Sequence, residues 1–187
     1  MTTDRHRFDI VGQLAPLRRY ARSLTRDETD AEDLVQEALV RAYEKRESFR
    51  PERNLRAWLL SILHNIFVDR IRARRSEQLR IGHAGNLAPH SEAPPQDHAV
   101  RLAQVRQTFL ALPEEQRAAL HLVAIEGLSY AEAATTLAIP IGTLMSRLGR
   151  ARATLRAIED GPVLIERPDP TRIHHLKIVG GSDDTTD

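Results

Sequence analysis

A break in helical periodicity divides this chain of 187 residues into two parts. The segment GHAGNLAPHSEAPPQD, at 82–97, contains two glycines and three prolines and shows no apolar period. Such a segment cannot bury one face against a core. The sequence therefore predicts two small helical domains joined by a flexible linker at 81–96 and followed by a tail at 161–187.

Apolar residues of the first part recur at steps of three and four, which is the spacing of one helix face. Thr29 with Glu32 has the pattern of a capping box and predicts the start of one helix. Asn54 is placed to cap a longer helix. The predicted inward face of that helix comprises Leu55, Trp58, Leu59, Ile62, Leu63, Ile66, Phe67 and Ile71. We therefore predict an all-α fold.

The second part has the layout of a helix-turn-helix. Ser129 with Glu132 forms a second capping box before a short helix, and a turn at 138–142 precedes a basic helix that begins at Thr143. Steps of three and four would lay Ser146, Arg147 and Arg150 along one face of the basic helix. Such a face could read base edges in a major groove, with Arg152 and Arg156 on phosphates. The alternative is an ordinary surface helix with solvated arginines.

Charge is segregated along the chain, although the formal net charge is only +1. Residues 27–37 hold six acids and no base, whereas residues 70–75 hold four arginines and no acid. This pattern favours one basic and one anionic partner, although charge runs are often solvated faces.

Basic residues lie near aromatic residues in the first part, a combination that suits single-stranded nucleic acid. Trp58 and Phe67 fall on the apolar stripe and are expected in the core. Phe49, in a predicted loop, is the better candidate to meet a base. The basic residues of this set are His64, Arg70, Arg72, Arg74 and Arg75.

Several function classes are disfavoured by what the sequence lacks. It has no cysteine, and His174 and His175 lack the spacing to further ligands that a metal site needs, so we expect neither metal nor cofactor. No phosphate-binding, metalloprotease or nucleophile-elbow motif is present, so we do not expect an enzyme. No apolar run approaches the roughly 18 residues of a membrane span, which favours a cytoplasmic protein.

Three segments in order resemble the extracytoplasmic function (group IV) sigma factors of the sigma-70 family. They are DAEDLVQEALVRAYE at 30–44, FRPERNLRAWLLSILHNIFVDRIRARR at 49–75 and LPEEQRAALHLVAIEGLSYAEAATTLAIPIGTLMSRLGRARATLR at 112–156. The resemblance covers about residues 8–158. It implies a transcription initiation factor with a region-2 domain at 8–80 and a region-4 domain at 97–160.

The resemblance also implies partners and site residues. The partners are core RNA polymerase, at its beta-prime clamp and beta flap, promoter DNA and an anti-sigma protein. The residues implied for the polymerase clamp are Asp33, Gln36 and Glu37. Those implied for the minus-10 element are Phe49, Asn54, Asn65, Arg70, Arg72, Arg74 and Arg75. Those implied for the minus-35 element are Thr143, Ser146, Arg147, Arg150 and Arg152.

Two residues of the basic helix depart from what many family members carry. Met145 stands where an arginine is frequent, and Gly149 stands where a larger residue is usual. One alternative is therefore a sigma-like decoy that binds an anti-sigma factor or polymerase without reading promoters. Another is a repressor that uses only the helix-turn-helix. For the tail, we expect its apolar stretch to pack on region 4 or on a partner.

Overall fold

Seven α-helices make up most of the computed structural model, which describes residues 9–81 and 97–157. They are α1 (Leu14–Thr25), α2 (Glu28–Glu44), α3 (Leu55–Ile81), α4 (Asp97–Ala111), α5 (Glu114–Leu120), α6 (Tyr130–Thr136) and α7 (Ile141–Arg156). Short 3-10 turns lie at Val11–Gln13 and Arg46–Ser48, and a π-helical turn lies at His121–Ile125. These two stretches contain no strand, and the predicted all-α fold is confirmed. The tail at 161–187 and most of the predicted linker lie outside them.

None of the helices in the described stretches is both long and apolar enough to cross a bilayer.

Helices α1, α2 and α3 pack against one another as the first domain. Their shared core is built from apolar residues spaced mainly by three and four residues, which places them on one face of each helix. Leu17, Leu34 and Leu63 are each at most 1% exposed. On α3 the predicted inward face is confirmed, because Leu59, Ile62, Leu63, Ile66 and Phe67 are buried and Leu55, Trp58 and Ile71 are partly buried.

Helix α2 begins earlier than its sequence pattern predicts. The N-cap is Asp27, whose Oδ1 accepts a hydrogen bond of 2.8 Å from the backbone N–H of Asp30. The predicted capping box at Thr29 and Glu32 is therefore wrong. Arg26, at φ 61°, adopts the left-handed conformation that ends α1 and leaves Asp27 extended, so Asp27 is the first residue that can act as the cap.

Helices α4 to α7 form the second domain around Leu112, Leu122, Leu144 and Leu148, each at most 1% exposed. The predicted capping box at the start of α6 is confirmed. Ser129 accepts from the backbone N–H of Glu132, and the Glu132 carboxylate accepts from the backbone N–H of Ser129 at 2.9 Å. Both orphan donors are thereby satisfied, which fixes the orientation of α6 before the turn into α7.

The two domains are in direct contact, and one arginine joins them. Arg117 of α5 is 2% exposed. Its guanidinium donates to the backbone oxygens of Ser23 and Leu24, at the end of α1, and to those of Leu110 and Leu112, at the end of α4. The carboxyl end of a helix carries unpaired carbonyls and partial negative charge. A single buried cation therefore satisfies two helix ends, one in each domain.

A second contact between the domains involves the buried carboxylate of Glu126. Arg19 of α1 donates to both of its oxygens, at 3.2 and 3.1 Å, and His121 Nε2 lies 3.2 Å from Oε1. Burial would raise the pKa of Glu126, but hydrogen bonds from His121 and Arg19 outweigh burial and hold the pKa below its usual value. Glu126 therefore stays ionised with a partner from the other domain.

His64 lies beneath this junction in the core of the first domain. Its Nδ1 is 3.0 Å from the hydroxyl of Tyr20, which is fully buried. Burial raises the pKa of Tyr20 well above its usual value, so the hydroxyl stays protonated and donates to a neutral imidazole. Burial, assisted by the charge of Arg147, lowers the pKa of His64 to about 4.

The depressed pKa of His64 predicts a specific sensitivity to acid. Between pH 6.5 and 4 the unfolded chain binds a proton at His64 that the folded chain does not, so stability falls as pH falls through this range. We expect His64 to account for up to about 3 kcal/mol of this loss. The free energy of unfolding is measured by urea denaturation from pH 6.5 to 4. The variant His64→Gln keeps a hydrogen-bond partner for Tyr20, and over this range it should lose less stability than the native chain by that amount. Parallel curves for both proteins would contradict this assignment.

The Arg19 contact predicts different effects for two adjacent arginines. Arg19→Ala leaves a buried carboxylate with one partner fewer and should cost about 1 to 2 kcal/mol, after allowing for the half-exposed Arg19 side chain. Arg18→Ala breaks only a partly exposed ion pair with Glu32, within the first domain, and should cost about 0.5 kcal/mol or less.

Urea denaturation measures both costs, and small-angle scattering measures domain separation. Only Arg19→Ala is expected to increase the radius of gyration. Equal effects of the two substitutions would show that Arg19 does not hold the domains together.

Candidate nucleic-acid interface

The outward face of α3 carries a row of polar and basic residues. Asn54, at its N-cap, Asn65 and Arg72 are separated by 11 and 7 residues, close to three and two full turns of 3.6 residues. All three are exposed, as is Arg75. The row runs along about 30 Å of helix. It offers amide groups near the start of α3 and cations near its end.

Two arginines of the predicted minus-10 set face the other way. Arg70 donates through Nε and Nη2 to Glu37 Oε2 of α2, at 3.1 and 2.6 Å, and Arg74 lies 3.6 Å from Asp30. The acidic block of α2 and the basic block of α3 therefore partly neutralise each other. Arg72 and Arg75 are the arginines of this block that project outward.

Phe49 packs beside Trp58 at the start of the row. Their ring centroids are 5.2 Å apart at an interplanar angle of 50°, and both side chains are partly buried. The prediction that Trp58 and Phe67 belong mainly to the core agrees with their burial. Phe49 lies at the edge of that core, between α2 and α3, with part of its ring open to solvent.

Asn54 contacts the second domain. Its Oδ1 accepts from the backbone N–H of Ala57 at 3.3 Å, which confirms the predicted cap of α3. Its Nδ2 donates to Glu132 Oε1 of α6 at 2.8 Å. Hydrogen bonds from Ser129 and then from Asn54 lower the pKa of Glu132, so the accepting carboxylate is ionised. In this arrangement a candidate minus-10 residue is already bonded to the helix-turn-helix.

The candidate minus-35 residues of α7 differ in solvent exposure and in whether another side chain binds them. Thr143, Ser146 and Arg150 are exposed on one side of the helix. Arg147 is only 21% exposed, and its guanidinium lies 2.9 Å from Glu115 of α5. The remaining residue, Arg152, donates to the Tyr130 hydroxyl at 3.2 Å, at the start of α6. Thr143, Ser146 and Arg150 are therefore the members of this set best placed to meet base edges.

The candidate polymerase residues lie on an exposed face of α2 that is larger than the sequence pattern indicates. Asp33 and Gln36 are exposed, and Val40 and Tyr43 continue the same face at steps of four and three, with 60% and 62% exposure. Val40 and Tyr43 were not predicted as part of this face. The sequence spacing identifies them, because it places both residues on the side of α2 opposite to the buried residues Leu34, Ala38 and Ala42.

Residues 9–81 and 97–157 contain no cluster of three or more histidine, aspartate or glutamate side chains that could hold a metal ion. His174 and His175 of the tail lie outside these ranges.

Two family models match this chain. Sigma-70 region 2 matches residues 11–77, and Sigma-70, region 4 matches residues 102–155. The first match contains α1 and α2 with most of α3, and the second contains the helix-turn-helix.

Curated relatives and solved structures agree with these matches. The ECF RNA polymerase sigma factor EcfG of Rhodopseudomonas palustris is 38% identical over 156 residues, which are 83% of this chain and 86% of that protein. The sigma factor RpoE of Bartonella quintana, solved with the anti-sigma factor NepR, has a TM-score of 0.69 and 34% identity, covering 85% of this chain and 96% of that one.

The structure of CnrH with the cytosolic domain of CnrY has a TM-score of 0.58 and 32% identity, covering 85% of this chain and 90% of that one. These likenesses cover most of this chain and most of each relative. The chain belongs to the extracytoplasmic function family of RNA polymerase sigma factors.

Proposed function

We propose that this sigma factor carries core RNA polymerase to promoters with its two domains in separate roles. The second domain reads the minus-35 element through α7, and the first domain opens the minus-10 element along the outward face of α3. The observation that carries this division is the pair of exposed polar faces on α3 and α7, each next to exposed arginines. Arginine, serine and asparagine are the side chains suited to base edges and phosphates.

The residues proposed for each element follow from their exposure. Ser146 and Arg150 would contact base edges of the minus-35 element, with Arg152 on the phosphates. Phe49, Asn54 and Asn65 would hold bases of the opened minus-10 strand, because strand opening requires extruded bases to gain contacts that offset lost stacking. Arg72 and Arg75 would follow the strand's phosphates.

Promoter binding requires the two domains to separate. The minus-10 and minus-35 elements are about 25 base pairs apart, about 85 Å along the duplex. In the arrangement described above, Asn54 is bonded to Glu132 of the helix-turn-helix, and Arg19 of the first domain is paired with Glu126 of the second. We therefore interpret the contacting arrangement as a closed state, and its opening as a step that precedes engagement of both elements.

Run-off transcription with core polymerase on a promoter library tests the two roles. Arg150→Ala should lower transcription from the selected promoters by about tenfold or more, because a base contact is lost. Arg106→Ala, at an exposed arginine of α4, is the matched control and should transcribe like the native chain. Phe49→Ala should also lower transcription, by about tenfold, because a captured base loses its contact.

A template with a premelted minus-10 element separates the two defects. It should restore transcription by Phe49→Ala, because opening is no longer required, and should leave the arginine variant defective. If the premelted template fails to rescue Phe49→Ala, Phe49 does not act in strand opening. If the native chain binds core tightly but selects no promoter, it is a decoy.

The polymerase contact belongs to the exposed face of α2 formed by Asp33, Gln36, Val40 and Tyr43. Acidic and apolar groups on one exposed face suit a basic surface with an apolar centre. Glu37 lies beside this face and is engaged by Arg70, so it would contribute less than Asp33.

Charge reversal at two positions of α2 distinguishes a direct contact at this face from long-range electrostatic attraction. Asp33→Lys should weaken binding to core polymerase by about tenfold or more, because a buried like charge replaces an attractive pair. Glu28→Lys changes charge equally on a different side of the same helix, where Glu28 is 77% exposed, and should change binding little. Affinities measured by fluorescence anisotropy at several salt concentrations give both effects. Equal weakening would indicate long-range attraction and not a contact at Asp33.

An anti-sigma protein is the remaining partner in this proposal. The relatives RpoE and CnrH were solved with NepR and with CnrY. A protein of this kind would hold the present chain inactive by favouring its closed state. The tail at 161–187 could pack on region 4 or on such a partner. Unchanged stability, transcription and anti-sigma binding after its deletion would exclude that role.

Three further assignments belong to this proposal. We assign the chain to group IV of the sigma-70 family, because the order of its three motif segments is that of this group. The chain would have no catalytic activity of its own, since polymerase supplies the chemistry. Its site of action would be the cytoplasm, where polymerase meets the promoter.

A further inference from the structure

Helix α7 presents an apolar pair on its surface. Ile141 and Met145 are 51% and 55% exposed and lie one turn apart. They are the large apolar side chains of α7 that point to solvent, whereas Leu144 and Leu148 are buried. Scattered exposed apolar residues are ordinary on protein surfaces. Met145 of this pair immediately precedes Ser146, on the helix that we propose reads the minus-35 element.

The space around Met145 is open. Gly149 follows it at four residues, so the two positions are neighbours along the helix surface. A Cβ built at Gly149 would meet nothing within 4 Å, and the same holds at Gly142. The fold therefore does not require glycine at either position. Met145 is unbranched and flexible, so its thioether can extend across Gly149 toward an approaching partner.

The charges around Met145 indicate which partner that is. Arg150 and Arg152 are exposed nearby, and Arg147, the arginine closest in sequence, is held by Glu115. Met145 thus lies about 100° around the helix from Ser146, at the flank of the exposed polar face, with exposed cations nearby. Cations suit phosphates, and the major-groove group that suits an apolar side chain is the C5 methyl of thymine.

We infer that Met145 is a specificity-determining residue that contacts the C5 methyl of a thymine in the minus-35 element. The base pair concerned adjoins the one that Ser146 meets. A cation at position 145 would favour guanine, whereas methionine favours an A·T pair there. This inference rests on the proposed role of α7 in reading the minus-35 element.

Deoxyuridine in place of thymine tests the contact, because it removes only the methyl group. The full chain with core polymerase is used on the promoter selected from the library, with each minus-35 thymine of either strand replaced in turn. One replacement should weaken promoter binding about three- to fivefold, the effect of one methyl group leaving an apolar contact. Replacement of thymines in the spacer between the two elements is the control and should have no effect.

Two variants connect the effect to Met145. Met145→Ala should bind the thymine and uracil templates equally, at about the level that the native chain shows with uracil. Met145→Arg should shift the preference at that base pair from A·T to G·C. Because the side chain is exposed, both variants should unfold at the native urea midpoint.

The possible failures are distinguishable. Selective initiation by the native chain with equal use of every thymine and uracil template overturns this inference and leaves the proposed function intact. Absence of any selective initiation overturns both. Unchanged thymine preference in Met145→Ala also overturns it. So does weakened binding of this variant to core polymerase in place of weakened binding to DNA, which would indicate that Met145 contacts protein.

Discussion

The guanidinium of Arg117 is the contact on which the arrangement of both domains depends. A buried cation normally requires a carboxylate partner, and here backbone carbonyls at the ends of α1 and α4 take that role. Burial, together with the charge of Arg26, lowers the pKa of Arg117 to about 10, so it is still charged near neutral pH. Because its donors are divided between two helix ends, separating the domains removes part of its hydrogen bonding. Each domain therefore stabilises a group that belongs to the other.

Two further polar contacts between the domains share this property. Glu126 is buried in the second domain and ion-paired with Arg19 of the first, and Asn54 of the first domain donates to Glu132 of the second. A buried ionised group that loses its partner costs more than an exposed pair does. Loss of these polar contacts is therefore costly unless water or another partner replaces them. Such contacts favour two distinct arrangements over a continuous range of intermediate ones.

Local patterns predicted the helices well, because caps and periodicity act within a few residues. The Ser129 capping box and the inward face of α3 are examples. The start of α2 was wrong because Asp27 and Thr29 are both good caps, and the left-handed Arg26 decides between them. Periodicity gives the buried face of a helix but not the neighbour that it meets. For this reason the pairing of Arg70 with Glu37, and the contacts of Arg117 across more than 90 residues of sequence, were not predicted.

The same polar contacts set the free energy that a partner must supply. A partner that binds only the separated domains shifts the equilibrium by its difference in affinity for the two states, and one that binds both equally shifts nothing. The face of α2 that we propose for core polymerase is exposed in the closed state, so that contact alone would not favour opening. The opening free energy must come from contacts made only by separated domains, such as those proposed for α7 with the minus-35 element. Promoter DNA and polymerase would therefore act together in opening the chain, and an anti-sigma protein that spans both domains would oppose them.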